Sequence, residues 1–132
     1  MNSSFASEEV KIGEAYSRDL LAKQFQITDA TLKNGVFRPK SFSSVWLFVT
    51  RNNKLANRTP HTNQLAGDVL HWQGQNAGRS DQLIIEHKAR GLELLVFYRV
   101  DADKPFRYEG IFEYIEHSGA RPTNFKLRRV QT

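Results

Sequence analysis

Cysteine is absent from the 132-residue chain, which excludes disulfides, a thiol nucleophile and every thiolate-held zinc or iron–sulfur site. Its absence fits a reducing compartment. No apolar run approaches the roughly 20 residues that a membrane helix needs, Leu94 to Tyr98 being as long as any, and Met1 to Gly13 holds no hydrophobic signal region. A soluble, cytoplasmic protein is therefore expected. No glycine-rich loop ends in Gly-Lys-Ser/Thr and no Gly-x-Gly-x-x-Gly occurs, so the chain alone is no ATPase of the P-loop kind. His61, His71, His87 and His117 lack the i, i+4 spacing of a metalloprotease helix. No metal and no cofactor is expected.

Acidic residues are also missing from one stretch, between Asp29 and Asp68, where Lys33, Arg38, Lys40, Arg51, Lys54 and Arg58 accumulate. Residues 1–32 carry 3 basic and 5 acidic groups, 33–90 carry 9 and 3, and 91–132 carry 7 and 6. Nearly all of the net charge of +5 thus lies in the middle of the chain. Such a block is the footprint of a polyanion partner, the alternative being a solvated basic face. With 39% hydrophobic residues, 2 Trp, 4 Tyr and 9 Phe, the composition fits one globular domain with a core of its own.

Residues 1–11 read as a flexible N-terminus and 12–132 as a single domain. Ser17 is a good N-cap, and Leu20, Leu21 and Phe25 fall on one stripe, which predicts a short amphipathic helix over Arg18 to Gln26. Strands are predicted at Gly35 to Arg38, Ser44 to Thr50, Val69 to Gln73, Leu92 to Arg99, Phe106 to His117 and Asn124 to Val130. Ser44 to Thr50 is apolar on both faces and should be central, and Gly110 marks a bulge. Arg51 to Gly67 reads as a long basic loop. Ser80 to Arg90 reads as a second helix that ends at Gly91 and turns Leu83, Ile84 and His87 inward. Two short helices among about six mostly sequence-adjacent strands predict an α+β domain whose sheet forms a small curled or closed β-barrel.

Asp68-Val69-Leu70-His71-Trp72-Gln73-Gly74-Gln75-Asn76 places an aromatic plane beside amides and a carboxylate. A base taken out of a duplex needs those parts, stacked on a π-face and read along its edge. The alternative is that Trp72 belongs to the core, as expected of Trp46, Phe97 and Tyr98. A second reading is a metal-dependent nuclease using Asp68 or Asp81 with Glu86 and Lys88, which requires Glu86 and Lys88 on one strand.

The segments Tyr16-Ser17-Arg18, Gly35-Val36-Phe37-Arg38-Pro39-Lys40, Leu47-Phe48-Val49-Thr50, Leu70-His71-Trp72-Gln73-Gly74-Gln75, Gly91 with Leu94-Leu95-Val96-Phe97, Tyr108-Glu109-Gly110 and His117-Ser118-Gly119-Ala120-Arg121-Pro122 follow one another in the order seen in one domain family. Over about residues 12 to 130 the chain resembles a bacterial domain family found C-terminal to phospholipase-D-type nucleases and helicases in restriction proteins. Related modules precede HNH nucleases. That family is similar to the SRA domain of the PUA-like class. The resemblance implies a non-catalytic reader of 5-methyl- or 5-hydroxymethylcytosine that flips the base, the targeting part of a modification-dependent restriction endonuclease active in phage defence.

On that reading Trp72, Gln73, Gln75, Asp81 and His71 form the base pocket, while Arg38, Lys40, Arg51, Lys54, Arg58 and Arg79 hold the DNA backbone. The partners implied are double-stranded DNA with modified cytosine and an HNH or phospholipase-D-type nuclease domain. Met1 to Thr132, ending just after the last predicted strand, looks like an excised N-terminal module, and a free-standing protein is equally compatible. Rival readings are an RNA-binding PUA-like module and a protein-interaction module.

Overall fold

Strand-forming segments dominate the computed structural model, which describes residues 5–33, 35–40, 42–52, 63–74, 80–120 and 123–130, apart from the Lys33 side chain. The strands are β1 (Ala15–Tyr16), β2 (Val36–Phe37), β3 (Ser44–Asn52), β4 (Gln64–Ala66), β5 (Val69–Gln73), β6 (Glu93–Asp101), β7 (Phe106–Ser118) and β8 (Asn124–Arg129). The helices are α1 (Arg18–Phe25) and α2 (Asp81–Ile85). The sheet runs β2-β3-β6-β7-β8-β5-β4, with β1 added to β7.

β3 is buried on both faces because its β-branched and aromatic residues alternate between two cores. Trp46 and Phe48 join Leu95 and Phe97 of β6 and Phe106 and Tyr108 of β7 on one side, where Leu21 of α1 covers them. Val45, Leu47 and Val49 point the other way, into a cluster with Val96, Phe112, Leu70, Trp72 and Leu127. Residues of β3 and β5 share this second cluster although three strands separate them in the sheet order. The sheet therefore curls, with Ile84 of α2 filling the concave side.

Curling does not become closure. Among the described residues no ladder joins β2 to β4, so the sheet is open and the closed barrel expected from sequence is not formed. Asn63 spans the gap instead, donating from Nδ2 to the Thr50 carbonyl (3.2 Å) and accepting the Gln73 N–H at Oδ1 (2.9 Å). Two further strands, β1 and β4, bring the number above the six expected. Both are short, and β4 lies in the stretch read as a loop. The order is also less local than expected, since β3 and β6 pair in parallel.

The cap at Ser17 forms as its sequence suggests, its hydroxyl accepting the Leu20 N–H at 3.0 Å. Leu21 is fully buried and Phe25 partly so, but Leu20 faces solvent, which narrows the expected stripe. α2 is shorter than expected. The β-branched pair Ile84-Ile85 propagates a helix weakly, and irregular turns carry the chain to Gly91 at φ +72°. Residues 5–11, expected to be frayed, are packed: Ala6 is fully buried and donates its N–H to the Ser44 hydroxyl (3.1 Å), while Ser7 donates to Glu93.

Candidate nucleic-acid interface

Alternation along β5 buries Leu70 and Trp72 and turns His71 outward. Trp72 is 5% exposed, and its ring stacks on that of its cross-strand partner Phe125, centroids 5.4 Å apart at 24°. Such a pair contributes about 0.5–1.5 kcal/mol beyond the area it buries. Gly74 follows, donating its N–H to the Thr123 carbonyl at 2.8 Å. A Cβ at position 74 would sit 3.1 Å from the Phe125 ring and 3.2 Å from Asp81 Oδ1, so only glycine lets these three segments close up. The Thr123 hydroxyl donates to Asp81 Oδ2. The end of β5, the start of β8 and the first turn of α2 are thereby locked together.

A cavity of about 470 Å³ opens beside this junction. Part of its lining is aromatic, made by Trp72, Phe125 and His117. The lining also includes the adjacent cross-strand row, Gln64, His71, Lys126 and Glu116, contributed by β4, β5, β8 and β7 in turn. The side chains of that row leave the opposite face of the sheet, so the cavity lies at the margin of the sheet rather than within its concave side. His117 is held by its Nδ1 contact with the Tyr114 hydroxyl (2.5 Å). Gln73 is not part of the lining but adjoins it, its Nε2 donating to Asn124 Oδ1 (3.4 Å). Trp72 and Phe125, 5% and 2% exposed, belong to the core cluster, as the alternative reading of Trp72 has it, and form the floor of the cavity. Above them, the His71 and His117 imidazoles, the amides and one charge of each sign can receive a planar heterocycle through ring contact and edge hydrogen bonds.

Of the residues chosen from sequence, His71 and Trp72 line this cavity, Gln73 borders it and Asp81 packs behind Gly74. Gln75 lies outside the described residues. Phe125, Asn124 and Asn63 are not among the residues chosen from sequence, and His117 figures there only as a scattered histidine and as part of a motif. Cross-strand register brings Phe125, Asn124 and His117 together, and a hydrogen bond to Gln73 brings Asn63.

The basic block does not form one patch among the described residues. Arg38 Nη1 donates to the carbonyls of Pro39 (2.8 Å) and Phe42, holding the turn before β3. Lys40 lines a separate cavity of about 400 Å³ with Phe25 and Phe42. Arg51 is exposed near the other end of β3, which at 3.3 Å per residue lies about 20 Å away. Lys54, Arg58 and Arg79 fall outside the described residues. Arg99, Lys104, Arg107 and Arg129 line instead a cavity of about 680 Å³, together with Asp101 and Glu109. The near-balance of charge over residues 91–132 concealed them in the sequence, since Glu109 and Asp68 take up Arg129 through ion pairs.

The residues of the nuclease reading go to four different places. Asp68 pairs with Arg129, and Asp81 receives the Thr123 hydroxyl. Glu86 is bonded by Gln82 and Arg90, which hold its carboxyl below the usual range, and Lys88 pairs with Glu113. Among the described residues no group of three histidines or carboxylates gathers as metal ligands would, and His87 is buried against the Ile84 carbonyl. His61 lies outside them. No described helix is long and apolar enough to cross a membrane.

No protein-family model matches the sequence, and no curated protein does. Solved structures do. The SUVH5 SRA domain in complex with fully methylated CG DNA has a TM-score of 0.62 at 15% identity, covering 100% of this chain and 97% of that one. The same domain with hemimethylated CG DNA gives 0.57 at 20% identity over 93% and 91%. Bound to fully hydroxymethylated CG DNA, it gives 0.57 at 18% identity over 99% and 97%. At these identities the likeness is one of architecture, and the fold of this chain is SRA-like.

Proposed function

We propose that the chain is a DNA-binding module that recognises modified cytosine, 5-methyl- or 5-hydroxymethylcytosine, by accepting the flipped base in the cavity beside β5. The observation that carries this reading is the juxtaposition, on an SRA-like fold, of the Trp72, Phe125 and His117 rings with the lining amides of Gln64 and Asn124, the latter bonded by Gln73. Trp72 and His71 shape the pocket, and Gln73, Gln75 and Asp81 supply donors and acceptors. Of the six basic residues that the resemblance gives to the backbone, Arg51, next to Thr50 at the Gln73 end of the sheet, contacts a phosphate near the pocket, and Lys54, Arg58 and Arg79 add to it. Arg38 and Lys40 lie about 20 Å away and reach phosphates only farther along the duplex. A methyl on the base gains from an apolar wall, whereas N4 and N3 of cytosine are read by hydrogen bonds.

The module catalyses nothing itself on this reading. Strand scission falls to a fused or associated nuclease of HNH or phospholipase-D type, in a modification-dependent restriction system, a setting that rests on the sequence motifs alone. The neighbouring SUVH5 SRA domains, crystallised with methylated and hydroxymethylated DNA, support modified DNA as the ligand. The test is fluorescence anisotropy with identical duplexes carrying cytosine, 5-methylcytosine, 5-hydroxymethylcytosine or N6-methyladenine, at two salt concentrations. A preference of at least about tenfold for a modified cytosine, equivalent to about 1.4 kcal/mol, is expected. Equal binding of all four duplexes, lost as salt rises, would reduce the protein to a basic surface, and a preference for single-stranded RNA in competition would assign it to RNA.

A further inference from the structure

Arg18, which opens α1, and Arg99, near the end of β6, converge on one ring. The Arg18 guanidinium lies 4.6 Å from the Phe48 centroid and 5.0 Å from that of Phe106, and the Arg99 guanidinium lies 4.2 Å from Phe106. Arg18 Nε donates to the Leu32 carbonyl (3.0 Å). Arg99 donates from Nε to the Thr50 hydroxyl (2.8 Å) and from Nη1 to the carbonyls of Ala102 (2.9 Å) and Lys104 (3.3 Å). The neutral acceptors around Arg99 orient its guanidinium without cancelling its charge.

Burial lowers the pKa of both guanidiniums from the ordinary arginine value without discharging them, the charge of Arg99 lowers that of Arg18 further, and Asp103 works in the opposite sense on Arg99. Like charges are thus held together at a desolvation cost that an incoming anion would relieve. A cavity of about 150 Å³ opens at this point, lined by Arg18, Arg99 and Lys104 together with Ser17 and Asp19. Three cations face it against the carboxylate of Asp19, and the positive end of α1 adds to the field.

We propose that this cavity anchors one phosphodiester of a nucleic-acid backbone, with the Arg18 and Arg99 guanidiniums, held in place by their protein acceptors, and the Lys104 ammonium as its cations. The inference rests on the DNA-binding reading above and adds to it an anchor outside the basic block. Thr50 ties the anchor to the base cavity. Its hydroxyl accepts from Arg99, its carbonyl accepts from Asn63 Nδ2, and Asn63 Oδ1 accepts the N–H of Gln73 beside the cavity. The anchor is thus joined to the backbone of Gln73 through hydrogen bonds within the protein.

Arg99→Gln and the exposed Lys104→Ala test the anchor, the second having little structural cost. In anisotropy titrations across a salt series, each is expected to weaken 5-methylcytosine and plain duplexes by the same factor, about five- to tenfold, and to lower the salt slope by about 1. The ratio between the duplexes stays as in wild type. Unchanged affinity and slope in both variants, where wild type binds DNA, would overturn the anchor and leave the DNA reading standing. If wild type binds no duplex, the DNA reading fails, and inorganic phosphate titrated against the Arg18 and Arg99 Nε–H resonances decides the remainder. A saturable shift would keep the anion site while overturning the backbone as its source, and no shift would overturn the site itself.

Discussion

His87 is 3% exposed, with Nδ1 2.8 Å from the Ile84 carbonyl. Burial, helped by repulsion from Lys88, holds its pKa below the ordinary histidine value, against the opposing pull of the Ile84 carbonyl and Glu113. The unfolded chain titrates near the ordinary value of about 6.5. Between the lowered folded value and about 6.5 the unfolded state binds more protons, so stability rises with pH across that window. The contribution is complete above it and is lost as the pH falls through it. Urea unfolding from pH 8 to pH 5 should show wild type losing stability relative to His87→Gln as acid is added, since glutamine can keep a donor to Ile84 without titrating. Parallel pH profiles for the two proteins would contradict this account. The sequence showed that His87 faces inward, because it follows Ile84 by three positions on a capped segment. It could not show Phe125 stacked on Trp72 or Asn124 beside Gln73, since those neighbours are set by pairing between strands about 50 residues apart.

At the scale of elements, β7 owes its shape to a bulge. Val96 of β6 pairs with Gly110 and the next residue, Phe97, pairs with Tyr108, so Glu109 is the extra residue. The insertion changes which face the strand presents. Phe106 and Tyr108 pack under α1, while Phe112, of the same parity, packs on the concave side. Glu109 is retained in this buried position by Arg129, whose Nη2 lies 2.9 Å from Oε1 and whose Nε donates to the Glu109 carbonyl at 2.8 Å. Gly110 holds φ at +107°, where a side chain is strained. Gly110→Ala should therefore cost about 1–3 kcal/mol, read as a lower urea midpoint, and an unchanged midpoint would show that the bulge tolerates a Cβ. The lone glycine in an alternating run made this bulge legible in the sequence. The parallel pairing of β3 with β6 was not legible, because apolar runs give a strand's burial without naming its neighbour. β4 was hidden for a related reason: three residues of an edge strand carry too little alternation to rise above the polar stretch around them.

At the scale of the molecule, an open sheet holds a concave surface only if something resists uncurling. The shared cluster of β3, β5 and β6 side chains supplies the bulk of that resistance, and Asn63 supplies direction, tying the Thr50 carbonyl on β3 to the Gln73 amide on β5. Thr50 also receives Arg99, so curvature, the Gln73 backbone and the cationic cavity meet at one residue. Phosphate contacts set affinity and base contacts set specificity, and here the two are separable by position. Asn63→Ala removes both side-chain bonds, at a cost of about 1–3 kcal/mol to stability, and frees the Gln73 N–H. Amide exchange at Gln73 should accelerate. In anisotropy, the preference for modified over plain duplex should fall several-fold while plain-duplex affinity and its salt slope hold, the inverse of the Arg99→Gln result. A variant with faster exchange at Gln73 but an intact preference would show that Gln73 takes no part in reading the base, and that selectivity comes from the Trp72, Phe125 and His117 rings.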